Sequence, residues 1–167
     1  DGMDASLAAL TEPAATATHA VNLAERSLAR PISETKALVI GGGSVGLFAA
    51  LTLAHRGVKD LTLADTNALR RQSAEKTGVA NVINPIDGPV VDATFDLVVD
   101  AVGGKATRQA SVAAVMPGGV IMHIGLMDND GGVDVRRLTL QEITFIGTYT
   151  YTPLDLRVTL AQLHEGA

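Results

Sequence analysis

Lys36-Ala37-Leu38-Val39-Ile40-Gly41-Gly42-Gly43-Ser44-Val45-Gly46 joins a short apolar run to a glycine-rich turn and then to an Ala/Leu-rich segment. That order of residue types reads as a strand, a tight turn and a helix. Within it, Gly41-x-Gly43-x-x-Gly46 has the spacing of a dinucleotide fingerprint, in which each glycine has its own steric task. The first allows a sharp turn, the second lets backbone approach a pyrophosphate, and the third lets helix pack on strand. A helix starting near Ser44 aims its unpaired N–H groups and the positive end of its dipole at the turn, which suits a diphosphate.

The fingerprint also requires an acidic residue about 20 positions further on, at the end of a second strand, to hold ribose hydroxyls. Asp60-Leu61-Thr62-Leu63-Ala64-Asp65 supplies that strand and ends in Asp65. Around this core, 167 residues with 47% hydrophobic content are enough to bury a core. With aromatics at 3% and no Trp, the core must be built from Ala, Val, Leu and Ile, as in a parallel sheet covered on both faces. A net charge of −5 argues against nucleic acid or an anionic membrane as partner. There are no cysteines, which excludes disulfides and any Cys-based zinc lobe within this sequence. Asp1-Gly2-Met3-Asp4 lacks a basic, apolar leader, and no apolar stretch approaches the ~20 residues of a membrane helix, so a soluble, cytoplasmic protein is expected.

Taken in order, residues 12–28 read as a helix with Thr11 as its cap and Pro13 in the first turn, closed off by Pro31. Asp65-Thr66-Asn67 caps a helix over 68–77 that stops at Gly78, and a third strand follows at 81–84. Ten residues separate Asn84 from Phe95, with Pro85, Gly88 and Pro89 among them, so a full crossover helix is not expected there. Ten extended residues span about 30 Å, enough to pass two strands spaced about 4.8 Å apart. The remaining expectations are a fourth strand at 95–102, a helix at 105–115 and a fifth strand at 119–125 after the turn Met116-Pro117-Gly118. A loop at 127–137, a sixth strand at 142–147 and a last helix at 154–165 complete the chain. The β-α-β alternation gives one α/β domain over 1–167: a Rossmann doubly wound parallel sheet of six strands, ordered 3-2-1-4-5-6, with helices on both faces.

A short-chain dehydrogenase pattern fails, because Phe48 occupies its last glycine position and Tyr149 and Tyr151 have Pro153 and Asp155 four residues on. Flavin enzymes with this fingerprint need a far longer chain, and methyltransferases space the glycine turn differently. The whole series does resemble one family: Glu12-Pro13, His19-Ala20-Val21, the glycine turn, Asp65 with Arg70, Ala74 and Gly78, then Pro117-Gly118-Gly119 and Phe145-Ile146-Gly147-Thr148. It is similar to the medium-chain dehydrogenase/reductase family, zinc-type alcohol and polyol dehydrogenases in particular, over essentially all 167 residues. The resemblance is to the cofactor-binding domain only. Members also carry a GroES-like catalytic domain, which is absent from this sequence.

The resemblance implies that the backbone of Gly43, Ser44 and Val45 holds the pyrophosphate in a cofactor-binding turn shaped by Gly41 and Gly46, and that Asp65, with Thr66 and Arg70 beside it, holds the adenosine ribose. A carboxylate accepts from two hydroxyls but repels a 2′-phosphate, so NAD is expected over NADP. Ala101, Val102, Gly103, Ile124, Gly125 and Leu126, followed by Ile146 to Thr148, are expected to face the nicotinamide at the strand ends. Glu12 matches the position that can ligate or approach the catalytic zinc in polyol-type members, a role it could fill only together with the missing domain. None of His19, His55, His123 and His164 shows a partner for acid–base work at sequence level. The implied reaction is hydride transfer from a secondary alcohol or polyol to NAD, with zinc in the full-length parent, the 167 residues alone inactive, and a homodimer through the sixth strand. A zinc-free NADPH quinone or enoyl reductase and a non-catalytic nucleotide-sensing domain are the alternatives.

Overall fold

A computed structural model of the chain describes residues 3–88 and 90–165. Six strands, β1 (Lys36–Ile40), β2 (Asp60–Ala64), β3 (Asn81–Ile83), β4 (Phe95–Asp100), β5 (Val115–His123) and β6 (Thr144–Gly147), make one sheet ordered β3-β2-β1-β4-β5-β6. Every pairing is parallel, with Ile40 level with Ala64 on one side and with Asp100 on the other. The expected doubly wound topology is therefore the observed one.

Successive residues of the central strands point to opposite faces, and both faces are apolar. Ala37 and Val39 of β1 join Leu97, Val99, Val120 and Met122 beneath helices α2 (Thr11–Ser27), α3 (Ser44–His55) and α4 (Ala68–Thr77). Leu38 and Ile40 instead join Val98 and Ile121 beneath α5 (Lys105–Ala114) and α6 (Val135–Leu140). A short α1 (Ala5–Ala9) precedes α2, and α7 (Pro153–Glu165) packs across α2. The reversal of strand order falls between β1 and β4, so the ends of those strands, and of β5 beside them, open a crevice.

Several boundaries differ from those expected. Leu10, not Thr11, stands at the cap of α2, and Thr11 lies inside the helix with its buried hydroxyl unpartnered. Helix α1 forms where no element was expected, because Asp4 accepts the N–H groups of Ser6 (2.8 Å) and Leu7 (3.3 Å). Helix α6 occupies part of the expected 127–137 loop and extends to Leu140, capped by Asp134, which accepts from the Arg137 amide (2.9 Å). Strand β5 begins at Val115, ahead of the Pro117-Gly118 turn signal, and its register with β4 shifts between Phe95 and Leu97 to absorb that turn. Strand β4 stops at Asp100, β3 at Ile83, and β6 starts only at Thr144, after Glu142 takes a positive φ of 52°. The β3–β4 crossover has no helix in its described residues; its turn is held by Asn84, which accepts from Ile86 and Asp87. Pro89 of that crossover, and Asp1 and Gly2 of the N-terminus, lie outside the described residues.

Candidate functional site

The glycine turn is shaped by close approach. Gly41 has φ +100°, and a β-carbon there would meet Val102 Cγ2 at 2.6 Å; one on Gly46 would lie 1.8 Å from the Gly41 carbonyl oxygen. Helix and strand are thus in backbone contact at Gly46. A β-carbon on Gly43 would meet nothing within 4 Å, so the turn is open on the side where α3 begins. Gly43 is also the cap residue of α3, and no side chain caps that helix. Ser44, Val45 and Gly46 make its first turn, whose N–H groups and dipole face the opening.

Asp65, just past β2, reaches into this turn. Its Oδ2 accepts from the Gly42 amide (2.6 Å) and its Oδ1 from the Asn67 amide (2.6 Å), and its side chain is only 5% exposed. Each carboxylate oxygen has a second lone pair, so both can still accept from ribose hydroxyls. The neighbouring arginines have separate tasks. Arg71 donates to the carbonyls of Asp65 and Thr66 (2.9 Å each) and so fixes the turn, while Arg70, 57% exposed, stands 3.8 Å from Asp65 Oδ2.

The other end of the crevice is organised by a residue that sequence reasoning missed. Asp100 ends β4 fully buried; its Oδ1 accepts from the amides of Val102 (3.0 Å) and Gly103 (2.8 Å), and its Oδ2 from the Thr107 hydroxyl (3.0 Å). Its carbonyl accepts from the amides of Ile124 (2.9 Å) and Gly125 (3.0 Å). One residue therefore positions both expected strand-end segments, 101–103 and 124–126. They touch where a β-carbon on Gly103 (φ +72°) would lie 1.9 Å from the Gly125 oxygen. The signal was present in the sequence: an acid ends this apolar strand, as Asp65 follows β2. Of the residues expected here, Ile124 is buried, Ala101 and Val102 half-buried, and Leu126 exposed.

Behind these segments, Arg108 is buried and donates to the carbonyls of Gly103 (2.7 Å), Asp128 (3.1 Å), Asp130 (2.7 Å) and Gly131 (2.6 Å), and to the Asp128 carboxylate. It straps the loop after β5 onto α5. The Lys105 amide, then Arg108, hold the Asp128 carboxyl below the usual carboxylate range. A cleft of about 450 Å³ opens here, lined by His123, Leu126, Asp128 and Phe145 among others. A separate apolar hollow of about 440 Å³ between α2, α3 and α7 shares none of its lining.

One expectation about side chains changes. His19 does have a partner: its Nδ1 lies 2.8 Å from Asp155 Oδ2, in a network where Asp155 also accepts from Asn22 and Thr152. Burial raises the Asp155 pKa, but the Thr152 and His19 contacts outweigh it, and the carboxyl is held below its ordinary value. This pair closes the first turn of α7 onto α2, a partnership 136 residues apart in sequence. Glu12 is exposed in the first turn of α2, and among the described residues no three His, Cys, Asp or Glu side chains cluster as a metal site. These residues alone do not fit a zinc ion, which needs about three protein ligands.

A doubly wound sheet with an uncapped helix over an open glycine turn and an acid after β2 defines a nucleotide-binding domain of dehydrogenase type. The family model described as zinc-binding dehydrogenase matches residues 44–165, and the chain belongs to that family. It corresponds to the family's cofactor-binding domain. It is 26% identical over 172 residues to an L-threonine 3-dehydrogenase of Streptomyces avermitilis, covering 98% of this chain and 48% of that protein. It is 28% identical over 147 residues to a D-altritol 5-dehydrogenase of Agrobacterium fabrum, covering 86% of this chain and 44% of that one. Among solved structures, acetophenone reductase from Geotrichum candidum in complex with NAD superposes with a TM-score of 0.88 at 26% identity, over 99% of this chain and 47% of that one. The chain thus spans about half the length of the curated relatives it matches. Among the described residues, no helix is long and apolar enough to cross a membrane.

Proposed function

We propose that this chain is the NAD-binding domain of a zinc-dependent alcohol or polyol dehydrogenase, whose GroES-like catalytic domain lies outside residues 1–167. The observation that carries the reading is the conjunction at one turn of an uncapped α3 N-terminus, an open face at Gly43 and the fixed carboxylate of Asp65. The amides of Ser44, Val45 and Gly46 would receive the diphosphate, for which the helix dipole is favourable. Asp65 would accept from the adenosine ribose hydroxyls, with Thr66 at the rim and Arg70 beside the adenosine. A 2′-phosphate would meet a carboxylate that two backbone amides hold in place, which favours NAD over NADP. The NADP complex of a Sinorhizobium meliloti dehydrogenase shares the fold at 20% identity and does not bear on this preference.

When bound, the nicotinamide supplies the hydride acceptor. What the chain contributes is position. Ala101, Val102 and Gly103, with Ile124, Gly125 and Leu126, would form the wall against which one ring face packs, and Asp100 fixes that wall through four backbone amides. The buried, unpartnered hydroxyl of Thr148 lies just past β6, at the same strand ends. Glu12 would approach zinc only once the catalytic domain brings further ligands. Names of relatives such as D-altritol 5-dehydrogenase support a secondary alcohol of the polyol class as substrate of the parent. Strand β6 ends the sheet among the described residues, and two copies would pair along that edge. Calorimetric titration of the 167-residue chain tests the proposal: NAD binds at least about tenfold more tightly than NADP, and no alcohol is oxidised. Equal affinity for the two, or turnover by these residues alone, overturns it.

A further inference from the structure

Asp100 and His123 are register partners at the ends of β4 and β5. Asp100 accepts through both side-chain oxygens, the pattern of an ionised carboxylate. His123 Nε2 is buried without a hydrogen-bond partner and stands 3.9 Å from Asp100 Oδ2, beyond hydrogen-bond reach. Its side chain is 17% exposed, and its ring packs on Phe145 with centroids 5.5 Å apart. Neutral, the ring leaves Nε2 idle in a buried place. Protonated, the ring is a cation that donates from both nitrogens, and among the described residues Asp100 Oδ2 is the carboxylate oxygen within 4 Å of Nε2. Among the described residues, the charged groups that line the same cleft as His123 are Arg108 of α5 and Asp128 of the loop, which pair with each other. From β6, Phe145 and Gly147 adjoin it and carry no charge.

We infer that the Asp100–His123 pair sets the preference of the site for oxidised over reduced cofactor and makes that preference depend on a proton. The inference rests on the reading that the nicotinamide lies against residues 101–103 and 124–126. The oxidised ring is a cation and the reduced ring is neutral. With His123 neutral, no other cation among the described residues pairs with Asp100 within 4 Å, and the Asp100 charge behind that wall favours the cation across a low-dielectric gap. With His123 protonated, the pair is balanced and the advantage is lost. Raising the pH through the range of an imidazole therefore tightens NAD+ relative to NADH. Asp100 and His123 act here as positioning residues, through charge and through the wall, without touching substrate.

The test measures both dissociation constants on the 167-residue chain from about pH 5 to pH 8, NADH by its fluorescence and NAD+ by displacement. The ratio Kd(NAD+)/Kd(NADH) falls by roughly threefold or more over that range in the native chain. It stays flat in His123→Gln, and at pH 8 it is higher in Asp100→Asn than in the native chain, because the charge that favours the cationic ring is gone. Because Asp100→Asn removes a buried acceptor and can fail to fold, the His123 ring is also followed by NMR in the native chain. Saturating NAD+ lowers the midpoint of its titration and NADH does not, as reciprocal linkage requires. A flat ratio in the native chain, the same slope in His123→Gln, or equal midpoints with both cofactors overturns the inference and leaves the dinucleotide reading standing. Failure of both dinucleotides to bind overturns the two together.

Discussion

Asp65→Asn separates the structural from the ligand-binding task of the acid after β2. The carboxylate accepts two backbone amides at 2.6 Å, and hydrogen bonds to a charged group contribute about 1.5–3 kcal/mol each. Asparagine keeps one acceptor oxygen and turns a donor NH₂ toward the other amide. With the oxygen left on Asn67, donor faces donor at Gly42, and stability falls by about 2–3 kcal/mol. Ribose recognition loses a charged acceptor as well, which weakens NAD about tenfold to a hundredfold. Urea unfolding reads the first quantity, and titration with NAD and with reduced nicotinamide mononucleotide reads the second. The mononucleotide has no adenosine ribose, so its affinity stays unchanged. If Asp65→Asn binds NAD as the native chain does, or weakens both ligands equally, Asp65 is a turn residue and not a ribose ligand.

Gly46→Ala puts a β-carbon 1.8 Å from the Gly41 oxygen and forces α3 off β1, so thermal unfolding should show a loss of about 3 kcal/mol or more, and NAD binding should be lost with it. Arg108→Met removes the donor shared by the carbonyls of Gly103, Asp128, Asp130 and Gly131; a loss of about 2–4 kcal/mol is expected, with faster amide exchange confined to residues 127–132. The Asp155 pKa is lowered in the folded chain, so its contribution is present above the unfolded value and lost as pH falls through the folded one. Asp155→Asn should accordingly be less stable than the native chain at neutral pH, and the gap should close in acid; a gap independent of pH would refute the network.

What could be read from sequence was what depends on short spacing. The turn from Gly41 to Gly46 and the acid at 65 lie within one βα unit and its following strand, where chain geometry leaves few alternatives, and they anchored the strand order. Asp100 could have been recognised by the same rule, since Val98-Val99-Asp100 ends an apolar strand in an acid. Arg108 could not: its four carbonyl partners lie 5 to 23 residues away in the sequence, and an arginine in an amphipathic helix reads as solvated charge. The His19–Asp155 pair exists only because α7 returns across α2. Helix α6 escaped notice because Gly131 and Gly132 dominate the stretch before it, although Asp134 is a sound cap. In each case the missing information was tertiary.

In the proposed function, one crevice, running from the glycine turn to the ends of β4 and β5, receives NAD. Backbone amide NMR of the 167-residue chain during titration with NAD tests it most directly. Shifts are expected to concentrate at Gly41 to Gly46, Asp65 to Arg70, 101–103 and 124–126, with the hollow between α2, α3 and α7 silent. Shifts centred on that hollow, or none at the glycine turn, would contradict it.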